Sequence, residues 1–184
     1  VLAATGPAFC AGHDLKEMTR ARQAPDRGRA FFAETMTHCS GVMQAIVNNP
    51  KPVIAEVAGV ATAAGCQLVA SCDLAYASPS ARLATPGVNI GLFCSTPMVA
   101  LSRNVENKFA MEMLLTGDLV DAEHAARIGL VNRVVGEEEL TEYTTGIARK
   151  VASKSSMTLE TGKKAFNRQR EMPLADAYEY TTTQ

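Results

Sequence analysis

The sequence predicts an α/β domain with crossover connections, succeeded by a helical C-terminal part. Over the first half, short apolar strand-like runs alternate with stretches whose apolar residues recur at helical spacing. Turns rich in glycine and proline separate them, and from Lys108 onward the pattern is mostly helical. Strands that alternate with helices pair in parallel through crossovers, which is the basis of the class.

Val1–Thr5 reads as a buried strand, closed by the turn Gly6-Pro7-Ala8 and followed by Phe9-Cys10-Ala11-Gly12-His13-Asp14. The segment from Thr19 to Arg29 reads as loop, with an arginine-rich stretch at Pro25–Arg29. Phe32, Met36, Cys39, Met43 and Ile46 then mark one face of an amphipathic helix that stops at Asn48-Asn49-Pro50. Val53–Val57 is a second buried strand. The turn Ala58-Gly59 leads through small residues into a helix over Ala63–Cys72, and Asp73–Ala77 and Arg82–Ala84 are further strands. Pro86–Ser95 is a glycine-containing loop.

Lys108–Leu115 is helical. Asp121 is a good N-cap for Ala122–Ile128, and Gly129 a good stop. Leu130–Val135 is extended, and Leu140, Tyr143, Ile147 and Val151 form a last amphipathic stripe after an acidic first turn, Glu137-Glu138-Glu139. The division expected is a core over residues 1–106 and a helical region of the same domain over 107–184. Val1 opens on a strand-like run without an initiator methionine, so the chain reads as the middle of a larger domain whose N-terminal strands are missing.

The 184 residues are 47% hydrophobic and 20% charged with net charge −1, a composition that supports one sizeable core. Such a charge argues against nucleic acid or an anionic membrane as main partner. No apolar run approaches the roughly 20 residues of a membrane span. Cys10, Cys39, Cys66, Cys72 and Cys94 show no metal-binding spacing and read as reduced core thiols, consistent with a cytoplasmic setting.

The chemistry concentrates between Ala58 and Asp73. Small side chains at a helix N-terminus leave unpaired N–H groups open to a ligand, and the helix dipole adds partial positive charge. Such a site can hold a carbonyl oxygen that turns negative during reaction. The first outward polar side chain on this helix is Gln67, an amide that is neither acid nor base at neutral pH.

Phe9-Cys10-Ala11-Gly12-His13-Asp14-Leu15-Lys16-Glu17-Met18, Lys51-Pro52-Val53-Ile54-Ala55, Ala64-Gly65-Cys66-Gln67-Leu68, Cys72-Asp73 and Leu115-Thr116-Gly117-Asp118 occur in order. The ordered set, which continues through Ala125–Val131, resembles the enoyl-CoA hydratase/isomerase (crotonase) superfamily. The resemblance implies a spiral of ββα units, a helical C-terminal region used for oligomerisation, and a homotrimer or dimer of trimers. It also implies binding of an acyl-CoA, with no cofactor beyond the coenzyme A that the substrate carries and no metal.

By motif match, the oxyanion-hole N–H groups belong to His13 and Ala64. Asp14, Leu15, Lys16 and Gly65 join them as substrate-binding positions, with Lys16 either meeting a CoA phosphate or standing as an ordinary solvated lysine. The family's two hydratase glutamates fall at Gln67 and Gly87, so both carboxylates are replaced. Gln67 retains the ability to orient water or substrate. Cys94 and Ser95 are the nearest nucleophile candidates, although no local histidine activates either, and core thiol and helix N-cap are their alternative roles. Glu56, inside an apolar strand, is paired or at a rim. Arg20, Arg22, Arg27 and Arg29 face either CoA phosphates or solvent. Three functions stay open: acyl-CoA chemistry other than hydration, noncatalytic acyl-CoA binding, and hydration with a replacement acid/base. A dinucleotide-binding domain fares poorly without G-x-G-x-x-G.

Overall fold

The computed structural model describes residues 1–183. Its strands are two to four residues long, too short to bury a face singly, and they gain a core by stacking in two sheets. β1 (Ala8–Cys10), β3 (Val60–Thr62), β5 (Arg82–Ala84) and β6 (Val120–Asp121) form one sheet in the order β1-β3-β5-β6. β2 (Ile54–Val57), β4 (Leu74–Ala77) and β7 (Arg133–Val134) form the other. Every pairing is parallel except β5 with β6.

β2 aligns with β4 from Ile54↔Leu74 to Val57↔Ala77, and β3 with β5 from Val60↔Arg82 to Thr62↔Ala84. Consecutive units of two strands and a helix therefore stack as turns of a spiral. The helix of the first unit, α3 (Ala64–Ser71), is buried on nearly every side, which its small and apolar sequence permits. The main core joins Val57, Ala61, Val69 and Leu83 to Leu101 of α4 (Ser95–Leu101) and Leu114 of α5 (Asn107–Thr116). Ile54, Tyr76 and Val135 form a second cluster under α7 (Leu140–Ala152).

Side-chain caps set several helix starts. Asp14 accepts from Lys16 N at 2.8 Å to open α1 (Leu15–Ala21), and Asp121 accepts from His124 N at 2.7 Å to open α6 (Ala122–Arg127). α2 (Arg29–Val47) carries the predicted stripe, with Ile46 buried and the others half-buried. α8 (Ser156–Gln169) is pinned by Lys163, whose Nζ donates to Asp73 at 2.7 Å and to the Ile46 carbonyl at 2.9 Å. α9 (Leu174–Thr181) follows.

Some expectations need correction. Among the described residues Val1–Thr5 is not a buried strand: only Leu2 bridges to β2, and Val1 is 58% exposed. β1 and β3, three residues each beside glycine turns, are too short to leave a period-two signal. The Thr19–Arg29 segment is helical as far as Ala21, and α2 starts at Arg29. Pro86–Ile90 is a 3₁₀ turn with proline at its start, not irregular loop. The Glu137–Glu139 triplet precedes α7, and Glu137 accepts the Ser80 hydroxyl at 2.9 Å. Among the described residues no helix is long and apolar enough to cross a membrane.

Candidate active site

The parallel pairing of β1 with β3 brings the turn after β1 against the start of α3. Thr62 Oγ1 donates to the Ala11 carbonyl at 3.2 Å. Gly12 has φ +92, and a Cβ there would lie 3.1 Å from Ala63 Cβ and 3.4 Å from Ala64 N. Glycine thus serves both the left-handed turn and the close approach. On the other side, a Cβ on Gly65 would overlap the Cys10 carbonyl, so α3 can press on β1 only with glycine at that position.

Ala63 holds φ 52 and ψ −117, a strained backbone for alanine, costing on the order of 1–3 kcal/mol. It is held by Ala63 N donating to Ala84 O at 2.9 Å and by Gln67 N donating to Ala63 O at 3.0 Å. No side chain caps α3. Among the described residues neither Ala64 N–H nor His13 N–H has a hydrogen-bond partner. The neighbouring turns therefore offer two half-buried donors, the arrangement that stabilises a developing oxyanion.

Gln67, one helical turn after Ala64, does not point outward as its place in the sequence suggests: it is only 5% exposed. Both flanks of α3 are covered, by β1 and by α2. From α2, Cys39 Sγ donates to Gln67 Oε1 at 3.9 Å, a long contact. Burial, reinforced by the nearby Cys10 thiol, raises the Cys39 pKa, which keeps it a neutral donor. Gln67 Nε2 has no partner among the described residues.

Gly87, the second residue of the 3₁₀ turn, is buried. Its N–H donates to Cys94 Sγ at 3.3 Å, and a Cβ would sit 2.7 Å from the Leu92 carbonyl oxygen and 2.9 Å from Cys94 Sγ. The space of a side chain at 87 is filled by the returning chain and its thiol. The pKa of Cys66, a buried residue of α3, is pushed up to about 12 by burial with Cys94 adding to it, so no thiolate forms there at neutral pH.

Residues 1–183 match the enoyl-CoA hydratase/isomerase family. The chain belongs to that family. It is 52% identical over 184 residues to human enoyl-CoA hydratase domain-containing protein 3, mitochondrial, covering 100% of this chain and 59% of the relative. A probable enoyl-CoA hydratase of Rhizobium meliloti is 36% identical over 181 residues, covering 98% and 67%. The crystal structure of the human domain-containing protein 3 superposes with TM-score 0.91 at 51% identity, covering 98% of this chain and 70% of that one. That of a Mycobacterium smegmatis enoyl-CoA hydratase gives 0.92 at 51%, covering 98% and 68%. The chain thus spans about three fifths of the human relative, and the crotonase fold is shared throughout that span.

The other candidate residues lie in different settings. Asp14, Leu15 and Lys16 form the exposed first turn of α1, beside the His13 turn, with the Asp14 carboxylate engaged as cap. Ser95 is exposed and is the first residue of α4 rather than its N-cap, its hydroxyl donating to the Phe93 carbonyl at 3.3 Å. Glu56 accepts from Thr141 at 2.7 Å, a paired strand carboxylate. Arg22 stacks over Phe32 at 5.9 Å. Sequence reasoning missed two features: the Cys39 contact to Gln67, and a cavity of about 1000 Å³ bordered by α2, α3, α4 and α8, with Gln67 in its wall. Cys39 gave a signal only as a member of the α2 stripe, and a cavity between helices far apart in the chain gives none.

Proposed function

We propose that this protein binds an acyl group as its coenzyme A thioester, holds the thioester oxygen on the N–H groups of His13 and Ala64, and is a poor classical hydratase. The observation that carries the reading is the pair of unpartnered N–H groups on adjoining turns beside two acid/base positions without carboxylates. Donors fixed in advance meet charge that develops only in the transition state, each worth about 2.7–4 kcal/mol. Enolate formation is therefore supported. Water addition also needs a proton acceptor and donor, each worth about 10²–10⁴-fold. Gln67 is neutral, and Gly87 has no side chain.

Asp14, Leu15, Lys16 and Gly65 border the thioester turn and would meet the coenzyme portion and the acyl root. Gln67 Nε2 is available to orient a water or the substrate, which favours acyl-CoA chemistry other than hydration over pure binding. Steady-state hydration of crotonyl-CoA should be several powers of ten below that of a two-glutamate relative. A turnover in the ordinary enzyme range, roughly 1–10³ per second, overturns the reading.

The assembly we propose is a homotrimer or dimer of trimers. Leu115, Leu119, Met157 and Leu174, each 59–76% exposed, supply apolar surface for it. Sedimentation velocity at micromolar concentration should show that species; a stable monomer refutes it. The five free thiols suit a reducing compartment, and the relatives' names favour the mitochondrion over the cytoplasm first expected.

A further inference from the structure

We infer that α8 and α9 form a strap that opens as one body and uncovers the cavity beside α3, with the Lys163–Asp73 pair as its latch. This does not rest on the acyl-CoA reading. The helices differ in how they are held. α7 buries Leu140 and Thr144 and packs on Ile54 and Tyr76, whereas α8 buries none of its 14 residues. Phe166 of α8 is 60% exposed and Met157 74%. The cavity of about 1000 Å³ has Gly162 and Lys163 of α8 in its wall together with Gln67 and Ala70 of α3. A Cβ on Gly162 would meet nothing within 4 Å. α8 thus lies across a space, with little buried apolar area to fix its place.

Polar groups hold it instead. The Lys163 side chain is 8% exposed, and its Nζ donates to Asp73 Oδ2 at 2.7 Å, to Ile46 O at 2.9 Å and to Lys51 O at 3.3 Å. The catch is fixed from the core side. Asp73 Oδ2 also accepts from Val53 N at 2.7 Å, and Asp73 N donates to Val53 O at 2.9 Å. Asn167 Nδ2 reaches the Val47 carbonyl at 3.4 Å, and Arg170 donates to the Arg103 carbonyl. Positions 163, 167 and 170 share one helix face, so the three side chains act together. α9 is tied to α8 by Arg168, which stacks over the Tyr180 ring at 4.7 Å. The connection from α7, Ser153-Lys154-Ser155, is exposed throughout and serves as the hinge. Units with few buried apolar contacts are the ones that open without global unfolding. Release of Lys163 therefore frees α8 with α9 and opens the wall that holds Gln67, so the latch governs access to that amide.

Hydrogen exchange of the intact protein, read by mass spectrometry on peptides from α3, α7, α8 and α9, tests this. In the wild type, α8 and α9 should share one level of protection, at least about tenfold below that of α3 and α7. Lys163→Met leaves the Asp73 charge without its partner and should lower protection of both strap helices together by roughly tenfold or more, with α7 unchanged within about twofold. Asp73→Asn keeps an oxygen for the Val53 N–H while removing the charge, and should act in the same direction on the same two helices. Wild-type α8 protected as strongly as α7, or α8 and α9 protected to different degrees, overturns the strap. Protection lost evenly from α3, α7 and α8 in the variants overturns the latch, by making the pair a support of the whole fold. Where Lys163→Met does not fold, Asp73→Asn and the wild-type comparison decide the same two points.

Discussion

Gly87→Ala isolates the cost of placing any side chain at the position that motif match assigns to the family's second hydratase glutamate. Gly87 has no left-handed φ, so alanine is conformationally admissible and should gain about 0.4–1 kcal/mol through the unfolded chain. Against this, the new Cβ falls 2.7 Å from the Leu92 oxygen and 2.9 Å from Cys94 Sγ, and one of the two is backbone. Overpacking a tight site costs about 1–3 kcal/mol; a backbone obstacle under 3.0 Å puts this site in the upper half of that range, leaving a net loss of about 1–2.6 kcal/mol. Urea denaturation at fixed protein concentration measures it, and at a mid-range slope of about 2 kcal/mol per molar the midpoint should drop by roughly 0.5–1.3 M. Cys94→Ala removes one obstacle. The double variant should be more stable than the sum of the single effects by at least about 0.5 kcal/mol. An unchanged midpoint in Gly87→Ala would show that the Leu92–Cys94 segment yields freely, and the occlusion argument would be wrong.

Two other outcomes follow from the geometry. Ala64→Pro deletes one donor at a first helical position that tolerates proline, so the fold should survive while the carbonyl stretch of a bound thioester loses its polarisation shift; an unaltered infrared shift would assign the oxyanion contact elsewhere. Cys66 and Cys72 have pKa values pushed up to about 12 from 9.0, both chiefly by burial. The folded state therefore holds protons that the unfolded chain releases above pH 9, and stability should fall between about pH 9 and 12. A flat stability profile across that window in the wild type, matched by a double alanine variant, would contradict the burial of these thiols.

The sequence was most legible where chemistry and periodicity coincide. The stripe from Phe32 to Ile46, the Asp121 cap and the helix after Ala63 are local patterns, and the structure contains all of them. The turns around Gly12 and Ala64 were legible because only small residues permit such approach, and the structure does set Gly12 against Ala63 and Ala64. The misses are tertiary. Gln67 reads as outward on an isolated helix, but α2 packs beside α3 and buries it. Val1–Thr5 reads as buried from its apolar run, yet among the described residues it makes one bridge, from Leu2 to Ala55 of β2.

Gln67 and Gly87 are best understood together with the thiols beside them. A carboxylate at either place would enter a buried setting with a cysteine sulfur among its nearest polar atoms: Cys39 at Gln67, and Cys94 beside the Leu92 carbonyl at Gly87. A thiol is a weak donor and supplies no compensating charge, so an ionised glutamate would bear most of its desolvation cost unaided. Replacing only Gln67 by glutamate would raise that carboxyl's pKa and favour its protonated form, without giving it a partner across the water. Replacing only Gly87 would displace Cys94 or the Leu92 carbonyl before any acid could reach the substrate. The two neutral positions and their two sulfur neighbours thus make one consistent packing. On the proposed reading, an oxyanion site beside such a pair would polarise a thioester without supplying the proton transfers that add water to one.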